Sequence, residues 1–141
     1  MGMSSGRGRI VRAREAALSL ALLLVVTRSA VAHHSFAIFD RSKQLTLHGT
    51  VKELQWTNPH CFLQLLVPDG EKPVEWSLEA DAPVIMYRLG WRPSSFKYGD
   101  NVTVVIYPIK DGTHSGSVIS AIDASGRTLE TMRGRAEGHV K

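Results

Sequence analysis

The sequence predicts a mainly β protein: a small five-stranded OB-like Greek-key barrel with one helix between strands three and four, preceded by a signal peptide. Three observations carry this. Five segments, all beyond residue 32 of the 141, alternate apolar and polar side chains or run apolar at strand length between turn signals. One segment with a helix start and a helix stop falls between the third and the fourth. The first 32 residues differ from everything after them in charge and apolarity.

Residues 1–15 are rich in Arg, Gly and Ser, and Ala16–Val26 follows as an apolar run of eleven with Ser19 its one polar member. A membrane-spanning helix needs roughly 20 such residues, and Arg28 interrupts this one. With its basic flank and Ala30-Val31-Ala32 behind it, the run reads as a cleavable secretory signal over residues 1–32, cut between Ala32 and His33. No Cys stands at the end of the run, which argues against a lipid-modified start. The expected product is exported, periplasmic in a bacterium, with no stable membrane anchor after cleavage.

The same segment holds the excess charge. The chain carries 17 Lys+Arg against 13 Asp+Glu. Five of the basic residues (Arg7, Arg9, Arg12, Arg14, Arg28) and one acid (Glu15) lie in residues 1–32, so 17 less 5 and 13 less 1 leave 12 of each sign. A formally neutral domain has no electrostatic footprint for polyphosphate, and nucleic acid drops out as a partner.

The domain is expected over residues 33–132. After a short polar-aromatic arm (33–44), Leu45, Leu47, Gly49 and Val51 define one face of a long first strand, which Gly49 allows to bend or bulge. Trp56-Thr57-Asn58-Pro59 interrupts it, because Pro cannot donate to a ladder. Strand two is His60–Val67, closed by Pro68-Asp69-Gly70. Strand three is Val74–Glu79, with Val74, Trp76 and Leu78 inside. Asp81 then caps a helix with Pro83 in its first turn, and Gly90 stops it. Asn101–Tyr107 is strand four and Ser117–Asp123 strand five. Residues 133–141 read as a polar, disordered tail. Cys61, the one cysteine, can form no internal disulfide and reads as a small buried hydrophobe.

No catalytic motif is present, and no enzyme is predicted. His60 and Cys61 are neighbours in an extended strand, so they point to opposite faces and cannot form a dyad. The outward positions of strand three, Glu75, Ser77 and Glu79, would repel phosphate. The informative feature is the proposed cut, which makes His33-His34-Ser35-Phe36 the new N-terminus. An α-amine titrates at about 8 and an imidazole at about 6.5, so both supply neutral nitrogen at mild pH. The amine and ring of His33 can chelate one metal with a third nitrogen from elsewhere. Alternatively the amine, the His34 amide and the His34 ring chelate together. Either set suits Cu(II). The candidate metal ligands are therefore His33, His34 and His60, the last in the Asn58-Pro59-His60 corner, with His48 and His114 in reserve. The alternative is a non-catalytic module without metal, binding an exported protein or a small ligand along a face near Trp56, Phe62 and Trp91.

The stretches HHSFAIFDRSK (33–43), LHGTVKELQWTNPHCFLQLLVPDG (47–70), VEWSLE (74–79), LGWRPSSFKYGDNVTVVIYPIKDG (89–112) and SGRTL (125–129) together resemble a family of small exported bacterial proteins known only as a domain of unknown function. The resemblance implies an exported, OB-like or otherwise small β-rich domain without an assigned reaction. It maps the family's histidine pair to His33 and His34, and its Asn-Pro-His corner to Asn58, Pro59 and His60. Members are often aromatic where this chain has Cys61-Phe62, so it assigns no function to Cys61. The tail after Thr131 lies outside it.

Overall fold

The computed structural model describes residues 35–138. The expected signal peptide, His33, His34 and residues 139–141 lie outside that range. Six strands form: β1 (Leu45–Gln55), β2 (Phe62–Val67), β3 (Val74–Glu79), β4 (Asn101–Pro108), β5 (Ser115–Ile122) and the short β6 (Thr128–Glu130). Among the described residues a 3-10 turn, Ser35–Ile38, and two short α-helices accompany them, α1 (Pro83–Arg88) and α2 (Met132–Glu137).

The strand order is β3-β2-β1-β4-β5-β6, and a parallel β3–β5 pairing closes the first five strands into a barrel. The helix α1 falls between β3 and β4, as the sequence predicts. Closure removes the open edges that a five-stranded sheet would otherwise present. The long β1 serves two partners, pairing β4 through Leu45–Thr50 and β2 through Thr50–Gln55.

The bulge in β1 lies at Val51/Glu53 and not at Gly49. Its effect is visible in the side chains: Leu47 and Val51 point into the core, but the next core contacts come from Leu54 and Trp56. The step from 51 to 54 is odd, so one extra residue has been inserted and the inward phase flips. Gly49 has a different task. A Cβ there would stand 2.8 Å from the Leu66 carbonyl oxygen, so glycine lets β1 cross close to β2.

The barrel interior is filled by Val51, Leu63, Leu65, Leu78, Val104, Ile106 and Val118 from the strands, with Met86 and Trp91 from the α1 segment. Trp91 is fully enclosed, meets Phe96 edge-on at 5.5 Å and donates its indole N–H to the Glu130 carbonyl at 2.9 Å. This corrects the expectation that Trp91 lines an exposed face: Gly90, at φ 95°, ends the helix and turns the chain inward. A second, smaller cluster of Phe39, Tyr107 and Ile119 lies on the other side of β4 and β5.

Two further expectations change. Asp81 makes no cap for α1, whose N-cap is Ala82 without a side-chain bond. Its carboxylate instead accepts the N–H of Met132, 51 residues on, at the start of α2. And Met132–Glu137, expected to fall mostly in a disordered tail, is helical. Its apolar pattern is blank because its inner contacts are made by backbone and small groups. Thr131 is buried, its hydroxyl donating to the Val118 carbonyl at 2.7 Å, and a Cβ on Gly134 would collide with the Ile119 carbonyl.

That collision gives a test. Helix propensity alone makes Gly134→Ala stabilising by up to about 1 kcal/mol. The packing makes it destabilising by about 1–3 kcal/mol, because backbone must move. Urea unfolding is expected to show a lower midpoint for the variant with an unchanged slope.

Candidate functional site

The corner between β1 and β2 places His60. The Asn58–Pro59 peptide is cis, and the Thr57 hydroxyl donates to the His60 carbonyl at 2.9 Å. Backbone bonds from Cys61 to the Asp81 carbonyl and from Ala80 to the Cys61 carbonyl then carry the β2–β3 ladder past the strand ends. Cys61 faces the core, where burial pushes its thiol up, and His60 faces away. The two side chains point apart and do not form a nucleophilic dyad.

His60 stands against Glu79, the last residue of β3. Its Nδ1 lies 2.5 Å from Glu79 Oε1, with the side chains 28% and 14% exposed. Oε1 is buried and receives no aligned N–H or O–H donor. A carboxylate beside one ring nitrogen is the kind of neighbour that orients metal-binding histidines.

Strand register extends this corner into a row. Phe62 pairs with Glu79, Glu79 with Ser117, and Ser117 with Tyr107. Paired residues share a face, so these four side chains project from the same outer surface. The Ser117 hydroxyl is buried and, like Glu79 Oε1, has no hydrogen-bond partner. Two adjacent buried polar groups without partners are rare in folded proteins. Arg133 of α2 flanks the row. Burial lowers its guanidinium, and the charges of Asp81 and Glu79 oppose that effect. Its Cζ lies 5.9 Å from the Phe39 ring.

Of the residues singled out from sequence, His60 lies in this corner, and Phe62 is half-buried beside Glu79. Trp56 is half-buried against the core, and Trp91 belongs to the interior. His33 and His34 lie outside the described residues. The reserves stand elsewhere. His48 is exposed on β1 with Nδ1 3.0 Å from the Thr103 hydroxyl. His114, in the β4–β5 loop, lies against Trp76 at 5.1 Å between ring centroids. Among the described residues no three His, Cys, Asp or Glu side chains converge as a metal-binding group. Sequence reading passed over Glu79, Ser117 and Arg133. Strand period shows Glu79 and Ser77 on the outer face, but the pairing of β3 with β5 is non-local.

An open groove of about 400 Å³ lies away from the corner, lined by His48, Thr50, Asn101, Thr103, Pro68 and Asp123 among others. Asp123 closes its turn by accepting from Ser125 and Arg127, and these bonds, the Ser125 hydroxyl first, hold its carboxyl down to about 2. A lowered pKa means that the turn's contribution is present above the ordinary carboxylate value and lost as pH falls through about 2. Asp123→Ala is therefore expected to be less stable than the parent at pH 6. Thermal unfolding at several pH values should show that gap closing between about 4 and about 2.

The model described as "Family of unknown function (DUF6152)" matches residues 20–118. No curated protein and no solved structure matches the chain. The matched span takes in the His33-His34 pair, the Asn58-Pro59-His60 corner, β1 to β4 and the first half of β5, and stops before β6 and α2. Because it covers well over half of the 141 residues, the chain belongs to this family of unknown function, DUF6152.

Proposed function

We propose that the protein is an exported, periplasmic binding protein that holds a transition metal, copper(II), through the amine and ring of His33 together with His34 or His60. The observation that carries this reading is the His60–Glu79 pair. A carboxylate on one imidazole nitrogen orients the ring and strengthens the other nitrogen as a ligand. The buried, unpartnered Ser117 hydroxyl beside Glu79 adds a polar group suited to a bound ligand or its water.

Phe39, buried against Tyr107 and Ile119, anchors the arm to the barrel. Nitrogen ligands and a mild working pH favour copper over harder cations.

Two measurements test the reading. Mass spectrometry of exported material is expected to find His33 as the first residue; a different start removes the amine ligand. Copper titration followed by electron paramagnetic resonance is expected to show the mature protein binding at least tenfold tighter than a free HHSF peptide. His60→Ala and a form with one extra N-terminal Ala should both lose that margin, and Glu79→Gln should lose part of it. Equal binding by all of them would leave the non-catalytic interaction module as the better reading.

A further inference from the structure

We infer that α2 is a latch: it holds the arm that follows His33 and His34, and its engagement sets how firmly the metal site is assembled. The inference rests on the copper reading above for its consequence, and on contacts within the described residues for its mechanism.

The last turn of α2 gathers the arm. Glu137 takes Arg41 at 3.5 Å and accepts the side-chain N–H of Gln44 at 3.3 Å. The Tyr107 hydroxyl on β4 belongs to the same group. Burial pushes it up, and its hydrogen bond to Glu137 pushes it further. Arg41 also lies over the Tyr107 ring at 5.9 Å. On its other side the arm is tied to β4 through backbone, Asp40 N–H to the Pro108 carbonyl at 2.8 Å and Lys110 N–H to the Ile38 carbonyl at 2.9 Å.

The first turn of α2 touches the corner. Met132 N–H is capped by Asp81, and Arg133 lies in the field of Asp81 and Glu79 while facing the Phe39 ring. A six-residue helix thus joins the arm at one end to Asp81 at the other, whose backbone carbonyl receives the Cys61 N–H next to His60. An exposed ion pair alone contributes little. Here one carboxylate collects three partners from two elements, and removing it releases all of them at once.

Glu137 is accordingly a positioning residue, and charge exchange tests it. Hydrogen exchange at the Asp40 and Lys110 amides is expected to rise about fivefold or more in Glu137→Arg, with Tm of the barrel nearly unchanged. The double variant Arg41→Glu with Glu137→Arg should restore protection. Glu137→Gln, which keeps the shape, should fall between. Copper affinity should follow the same order, with the paramagnetic resonance spectrum of Glu137→Arg moving toward that of the HHSF peptide. Unchanged amide exchange in Glu137→Arg overturns the latch, and so does faster exchange that the double variant fails to reverse. Faster exchange with copper affinity intact, in a parent that outbinds the peptide, overturns the link to the site. A parent that binds copper no better than the peptide sinks the copper reading and with it that link, while amide exchange alone still decides whether α2 holds the arm.

Discussion

The parallel pairing of β3 with β5 is the constraint on which this end of the molecule depends. Antiparallel neighbours follow easily from turns, but a parallel contact needs the chain to travel round through α1 and β4 before it can form. Gly116 permits it. A Cβ there would stand 2.6 Å from the Ile106 side chain and 2.7 Å from the Tyr107 carbonyl oxygen, so only glycine lets β5 approach β4 while bridging to β3. Once closed, the pairing brings Glu79 beside Ser117 and Ser117 beside Tyr107. An edge carboxylate in water becomes a half-enclosed one in a fixed row.

Enclosing that carboxylate has a cost that its surroundings must offset. His60 stands against it, the Arg133 charge acts on it at longer range, and Asp81 accepts the first N–H of α2, where a helix dipole favours an anion. Even so, a carboxylate oxygen and a hydroxyl stay buried without aligned partners. This imbalance separates the corner from the His48 groove, whose polar groups are satisfied within their own turn and strands. It is why the corner, and not the groove, carries the functional reading.

The outer layer explains the odd composition of the C-terminal segment. MRGRAE has no apolar stripe, yet it forms a helix, because Thr131 and Gly134 let its backbone approach β5 closely and Arg133 reaches across Phe39. The layer is polar and thin, and it draws its stability from a few non-local contacts. Such elements open more readily than a packed core, which suits a segment that holds a terminal arm in place.

Periodicity and turn chemistry are local, and what depends on them was legible in the sequence. The five barrel strands, α1 between the third and fourth, the Gly90 stop, the inward Leu78 with Trp76 packed against the core, and the opposite facing of His60 and Cys61 all follow from spacing within a few residues. What the tertiary structure alone decided involves partners dozens of positions apart. Asp81 accepts the first N–H of the second helix instead of capping the first, Trp91 turned inward finds the Glu130 carbonyl, and the bulge sits at Val51/Glu53, with Gly49 serving a close crossing. Glu79 likewise acquires Ser117 and Tyr107 as neighbours only when the barrel shuts. A side chain's period records which face it occupies; what it meets there is set by register and closure, which no short window of sequence contains.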